Sequence, residues 1–397
     1  MKKLMTLALL VAFALNVNAQ ENKKTTIEVP QWVKNIKFSG YGMLQYQVED
    51  PYKAVEDENG NIVAEKNSTN AFKLRLMRLI LDGKIGDFDW RAQIQGSNAV
   101  GPGTPTVQLV DLYAEWVKHK EFRVRVGQFK RAFTFENPTH PITQGWYSYA
   151  MVINNLSGFG DRVGEKSSGG RDIGIQVQGD LFPNANGRRL LHYQVGVYNG
   201  EGINTGDKDN RKDIIGGLWV MPIAGVRIGA FGWTGSHGNM ITGYQKDNNG
   251  EYILDANGNK KAITGSVPLN RYAISAEYDK DEYTFRAEYL HSQGWGVNPS
   301  QAGKGDNVIY YSNGDKADGW YVFGIVPVIK SKLHAKARYQ TYRNNKEWNH
   351  AKTMYEIGAN YFFTKSLQLN AEYARVNDRN LIKHNYNFFD LELDFRF

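Results

Sequence analysis

Cysteine is absent from all 397 residues. That excludes disulfide staples and thiolate metal centres, so the chain must hold together through hydrogen bonding and packing. Past residue 15 no apolar run approaches the roughly 18 residues that a membrane helix needs, which excludes helical spans. The eight histidines are scattered, and neither HExxH nor GxSxG spacing occurs. Ser157-Gly158-Phe159-Gly160 lacks the strand–turn–helix setting of a nucleotide loop. Low mean hydropathy (−0.52) leaves one membrane architecture open, a β-barrel, because only every second strand residue would face lipid.

What the chain does have points the same way. Nine Trp, 23 Tyr and 19 Phe make up 13% of the sequence, and Trp and Tyr favour membrane–water boundaries. Residues 1–19 read as a secretory signal peptide. Lys2 and Lys3 form its charged end, Leu4 to Leu15 its apolar run, and Val17-Asn18-Ala19 a small-residue cleavage site. Residues 20–35 then form an N-terminal periplasmic segment. In Asn385 to Phe397, Phe389, Leu391, Leu393, Phe395 and Phe397 share one side of an extended strand with Asn387. Asp390, Glu392, Asp394 and Arg396 share the other. That is the pattern of a strand closing a membrane barrel.

Sixteen segments of strand character run from Ile36–Val48 to Tyr386–Phe397. Leu333, Ala335, Ala337 and Tyr339, for example, oppose Lys332, His334, Lys336, Arg338 and Gln340. The polar sides carry too many charges for a dry core, which predicts a wet interior. Short links near Gly86, Lys120, residues 183–187, 222–224, 280–281, 328–330 and 364–365 alternate with long ones. The long ones are 49–70, 97–106, 131–169, 200–210, 236–268, 294–316, 344–350 and 377–385. The expected fold is therefore all-β, a 16-stranded antiparallel transmembrane β-barrel over residues 36–397, with short periplasmic turns and long extracellular loops.

In Phe72 to Leu81 the apolar face changes parity near Met77, which predicts a bulge. Segments 214–221 and 320–326 are apolar on both faces and should pack against an inward loop or a neighbouring subunit. The loop 131–169 is rich in aromatic residues, including Phe133, Phe135, Trp146 and Tyr149, and is expected to fold inward as a constriction. Glu56 to Gly60, Asp247 to Gly250 and Asp255 to Asn259 read as hairpin tips, without the distant Glu of a calcium loop. A barrel enzyme would place acid–base groups near the outer rim, where His237, His291 and Glu288 fall. Residues three apart in a strand point to opposite faces, so Glu288 and His291 make a poor pair.

Val126-Gly127-Gln128-Phe129-Lys130-Arg131-Ala132-Phe133-Thr134-Phe135-Glu136 resembles the G-Q-F-K-x-P-F-x-x-E block of the phosphate-selective porin O/P family. Gly170-Arg171-Asp172-Ile173-Gly174 and Tyr193 to Gly202 resemble further blocks of it, in the same order. Ala132 replaces the usual proline, and the arginine-dense second strand is reduced to Lys73, Arg75 and Arg78. The resemblance implies a sixteen-stranded, trimeric outer-membrane porin whose third long loop folds inward.

An anion filter needs cations converging in a water-filled constriction. The pore-lining candidates are Lys73, Arg75, Arg78, Arg123, Arg125, Lys130, Arg131, Arg227, Lys336 and Arg338; Lys332 shares their parity, and Arg171 lies at a strand end. Acids on the same faces, among them Asp89, Asp111, Glu115, Glu277, Glu288, Glu356 and Glu372, make clustering decisive. The expected function is a passive outer-membrane channel for small hydrophilic solutes that prefers anions such as phosphate. It needs no catalytic residue, metal, cofactor or nucleic acid. Its expected partners are outer-membrane lipid, small anionic or polar solutes and two further copies of the chain. A barrel enzyme and a non-conducting adhesive or structural barrel are the competing classes.

Overall fold

The computed structural model describes residues 36–97, 107–159, 169–207, 209–297 and 309–397. The expected signal peptide and residues 20–35 lie outside the described residues, as does most of the loop at 97–106. The compact unit is Lys37–Phe397. Its strands begin with β1 (Lys37–Glu49), followed by a small two-stranded hairpin, β2 (Tyr52–Glu56) and β3 (Ile62–Lys66). The wall continues with β4 (Thr69–Ile85), β5 (Phe88–Gly96), β6 (Val107–His119) and β7 (Phe122–Lys130). A long loop carrying α1 (Pro141–Gln144) and α2 (Met151–Leu156) leads to β8 (Arg171–Pro183) and β9 (Arg189–Tyr198). Then come β10 (Asp213–Val220), β11 (Val226–Tyr244), β12 (Ala262–Lys280), β13 (Tyr283–Val297) and β14 (Ile309–Ile329). The last four are β15 (Leu333–Arg343), β16 (Ala351–Thr364), β17 (Leu367–Asp378) and β18 (Asn385–Arg396).

Sixteen of these strands, all but the β2–β3 hairpin, form one closed antiparallel barrel. The seam is β1 on β18, where Gly40 and Phe397 exchange both backbone hydrogen bonds at 2.9 and 3.0 Å. Gly40 is required there, since a Cβ would lie 2.5 Å from the Phe397 ring. Closure leaves no unpaired edge, which a lipid-exposed sheet cannot tolerate. Side-chain alternation sorts the two faces as the sequence predicted: Phe72, Leu74 and Ile357 are exposed on the outer wall, while Gln45, Asp111 and Glu356 are buried inside.

Three expectations change. Met43 pairs with Leu76 and Leu44 with Leu74, so the bulged residue is Arg75, two positions before Met77. The loop expected at 236–268 contracts to 245–261, because β11 and β12 keep pairing as far as Tyr244 and Ala262. The strands flanking the loop expected at 294–316 likewise extend to Val297 and from Ile309.

The interior is also only partly a water-lined surface. Phe133, Phe135, Trp146, Val152, Ile153 and Leu156 of the long loop form a buried apolar cluster with inner-wall Ile215, Phe231, Trp233, Tyr321 and Phe323. This answers the double-sided apolarity of 214–221 and 320–326: their outer faces see lipid and their inner faces see the loop.

Candidate functional site

The long loop is held against one side of the lumen by polar side chains that the wall supplies. Its base is closed by Arg131 N–H donating to Gly170 O at 2.9 Å and by the buried Arg131–Asp172 ion pair at 3.0 Å. Glu288 of β13 accepts the Phe135 and Glu136 backbone N–H groups at 2.8 and 2.9 Å. The helix α1 ends at Gly145 (φ 75°), whose carbonyl accepts Lys336 Nζ at 2.7 Å. A Cβ on Gly145 would sit 2.9 Å from Ile325, so glycine lets the loop approach β14 closely. Trp146 lies under Lys336 and Arg338, 4.9 and 4.4 Å from their charged centres. Its carbonyl takes Arg75 Nη1, and Ser148 O takes Arg338 Nη1, both at 3.0 Å. Glu372 and Gln340 accept the Tyr147 and Met151 N–H groups at 2.8 and 2.7 Å. Each contact satisfies a backbone group that would otherwise be stranded in the interior.

On the β4–β8 side the loop also makes contact, Ile142 with Leu76 and Ile80 and Phe133 in one cluster with Phe129, but it leaves a space. Between this wall and the loop segment Pro138–His140 lies a cavity of about 190 Å³. Arg78, Arg91, Arg125, Lys130 and Arg171 line it, together with Asp111, Tyr113 and Phe129. Three of the cations are matched by acids. Arg91 pairs with Asp82 at 2.7 Å, Arg125 with Glu115 at 2.6 Å and Arg171 with Asp111 at 2.6 Å. Arg78 is held only by neutral groups, Gln95 Oε1 at 2.7 Å and Tyr41 OH at 2.9 Å. The Lys130 ammonium lies over the rings of Phe159 and Tyr149 at 4.5 and 5.1 Å, and no acceptor meets it among the described residues. The chamber therefore has an excess of positive charge, carried by Arg78 and Lys130.

His140 on the loop registers that field. Burial first, then Arg78, Arg91, Arg171 and Lys130, push its pKa down to about 3. Arg91 Nη1 lies 3.3 Å from His140 Nε2, and a guanidinium only donates, so Nε2 is the acceptor and the ring is neutral.

The expected pore-lining residues divide among several places. Arg78, Arg125 and Lys130 meet in the chamber. Lys73 and Arg75 line a second cavity of about 560 Å³ with Gln45, Gln47 and Tyr147, where Lys73 donates to Gln47 and Arg75 is tied to Glu392 at 3.0 Å. Arg131, Lys336 and Arg338 have wholly covered side chains and anchor the loop, the last two paired with Glu372 and Glu356 at 2.6 Å. Arg123 and Arg227 lie near the turn-side ends of β7 and β11, paired with Asp180 at 2.8 Å and Glu277 at 2.6 Å. Lys332 sits in a turn, over the Tyr361 ring. Arg91 and His140 were not among the expected site residues, and Arg171 was named only as lying at a strand end. Arg91 stood on the polar side of β5, and nothing local marked it above the other cations. Glu288 faces inward, whereas His291 faces outward and stacks on Tyr272, so the two share no site.

Residues 30–208 match the model of the family described as phosphate-selective porin O and P. This stretch of the chain is similar to that family. The match spans β1 to β9, and so includes every strand of the chamber and the whole inward loop. No curated protein matches by sequence. Among solved structures, the anion-selective porin from Comamonas acidovorans is 11% identical with a TM-score of 0.55, covering 91% of this chain and 100% of that one. The outer-membrane channel DcaP of Acinetobacter baumannii is 12% identical, TM-score 0.55, covering 92% and 98%. Salmonella typhi OmpF, in complex with daunomycin, is 10% identical, TM-score 0.57, covering 91% and 97%. At such identities the likeness speaks for the fold, an outer-membrane porin barrel, and the chain resides in the bacterial outer membrane.

Proposed function

We propose that this porin passes small hydrophilic solutes passively and prefers anions, phosphate among them, with the chamber between the inward loop and β4–β8 as its selective element. The observation that carries the reading is the pair Arg78 and Lys130, two chamber cations with no carboxylate of their own. An oxyanion entering the chamber exchanges part of its hydration for charge-assisted hydrogen bonds from the Arg78 guanidinium and the Lys130 ammonium. Asp111, Asp82 and Glu115 neutralise the remaining cations, which keeps residence short enough for conduction. Neither turnover nor an energy source is part of this reading. Three copies per particle is the assembly that the family resemblance implies, and chemical cross-linking in native membranes reads it directly.

The test is planar-bilayer recording across a potassium chloride gradient, repeated with potassium phosphate. The wild type is expected to reverse on the anion-selective side, and the double variant Arg78→Gln/Lys130→Met to move toward neutrality or cation preference. A cation-selective wild type sinks the anion reading and leaves the channel intact. Absence of any conductance favours the adhesive or structural barrel instead.

A further inference from the structure

The lipid-facing wall bears few charges, and those it bears are informative. Asp318 and Arg343 face outward as an ion pair at 2.6 Å, and Tyr289 OH also donates to the acid. Arg375 is different. In β17 it shares the outward parity of Leu369, Ala371 and Tyr373, and it lies three residues from the strand's loop-side end at Asp378. That places it at the outer rim of the apolar band. Its Nη1 donates to Asn387 Oδ1 at 2.7 Å, and Tyr373 OH donates to the same oxygen at 2.8 Å. No carboxylate pairs with it among the described residues. A guanidinium on a lipid-facing surface needs an anionic partner or water.

A groove of about 600 Å³ opens beside it on the same wall and ends at Tyr373 and Arg375. The groove exists because Gly324 and Ala337 are cross-strand partners with little or no side chain, set between larger Val322, Tyr355 and Ile357. An apolar trough leading to an unneutralised cation at headgroup height has the charge and shape of one ligand class.

We propose that this face binds a phosphorylated lipid of the outer leaflet, its phosphate on Arg375 and one acyl chain in the Gly324–Ala337 trough. The proposal depends on the barrel's outer wall and not on the anion chamber, so either reading can fail alone.

Barrel protein purified from outer membranes in a mild non-ionic detergent is titrated with diphosphoryl lipid A and with the same lipid stripped of phosphate, bound lipid being counted by native mass spectrometry. The wild type is expected to bind the phosphorylated form more tightly. Arg375→Gln should weaken that form about tenfold, the loss of a charge-assisted contact, and leave the stripped form unchanged. Ala337→Phe, which fills the trough, should weaken both forms. Unchanged chloride conductance confirms that each variant is folded. Equal binding of the two lipids by the wild type overturns the proposal, as does wild-type affinity in Arg375→Gln. A photo-crosslinker at Tyr355 should capture lipid; capture of a second copy of this chain would instead make the face a subunit contact and overturn it too.

Discussion

Lys130 and Arg78 were both expected to line the pore, but their local sequences did not bring the two together. Lys130 is the last residue of β7, and Arg78 follows a bulge that inverts the facing of its strand. The bulge residue Arg75 is spent on Trp146 O and Glu392, so the cation most legible as a filter residue acts as a strut. Removing one unpaired chamber cation, as in Lys130→Met, should lower the anion-to-cation permeability ratio about two- to fivefold. That follows from roughly 0.5–1 kcal/mol of Coulomb energy in a partly solvated site, and the reversal potential reads it. His140 supplies a pH test. Its folded pKa of about 3 lies below the ordinary value of 6.5. Between those limits the unfolded chain takes up a proton that the folded loop refuses, so stability falls as pH falls through the window and no further below it. His140→Gln should remove that contribution, on the order of a few kcal/mol, and flatten the acid dependence of the urea midpoint followed by tryptophan fluorescence between pH 7 and pH 3.

At the scale of elements, the inward loop is bound through its own backbone groups, met among the described residues by side chains on nine different strands. Glu288 is the most concentrated of these contacts, holding two consecutive N–H groups. Glu288→Ala should cost roughly 2–4 kcal/mol, because both groups lose their acceptor in a buried setting. The expected readouts are faster protease cleavage within residues 132–150 and larger current fluctuations in single-channel records; an unchanged cleavage rate would show that the apolar packing alone holds the loop. The aromatic content of 131–169 marked this segment as packed, and the both-sided apolarity of 320–326 hinted at what it packs on. Which polar residues would be consumed in holding it could not be read from either stretch. Lys336 and Arg338 look identical in sequence to channel-lining cations, and only the arrival of Trp146 between them assigns them to the loop.

For the whole molecule, the loop fills much of the lumen and leaves a cation-lined cavity on the β4–β8 side. Deleting Thr139 to Asp161 removes that filling. Single-channel conductance should rise and selectivity should weaken together, since His140 leaves the chamber and its wall loses a side. Equal conductance in the deletion variant would place the narrowest point elsewhere.

Strand number, inside–outside sorting and closure were determined by the sequence itself, because a period of two is a local property and every strand states it independently. The bulge in β4 was visible for the same reason, to within two residues. The functional division of the cations was decided by tertiary structure. Arg75 and Glu392 stand 317 positions apart, and Arg171 and Asp111 stand 60 apart, yet each pair shares one hydrogen-bonded contact. Charge neutralisation acts through space, so the cations left to meet a solute are fixed only when the barrel has closed and the loop has taken its side.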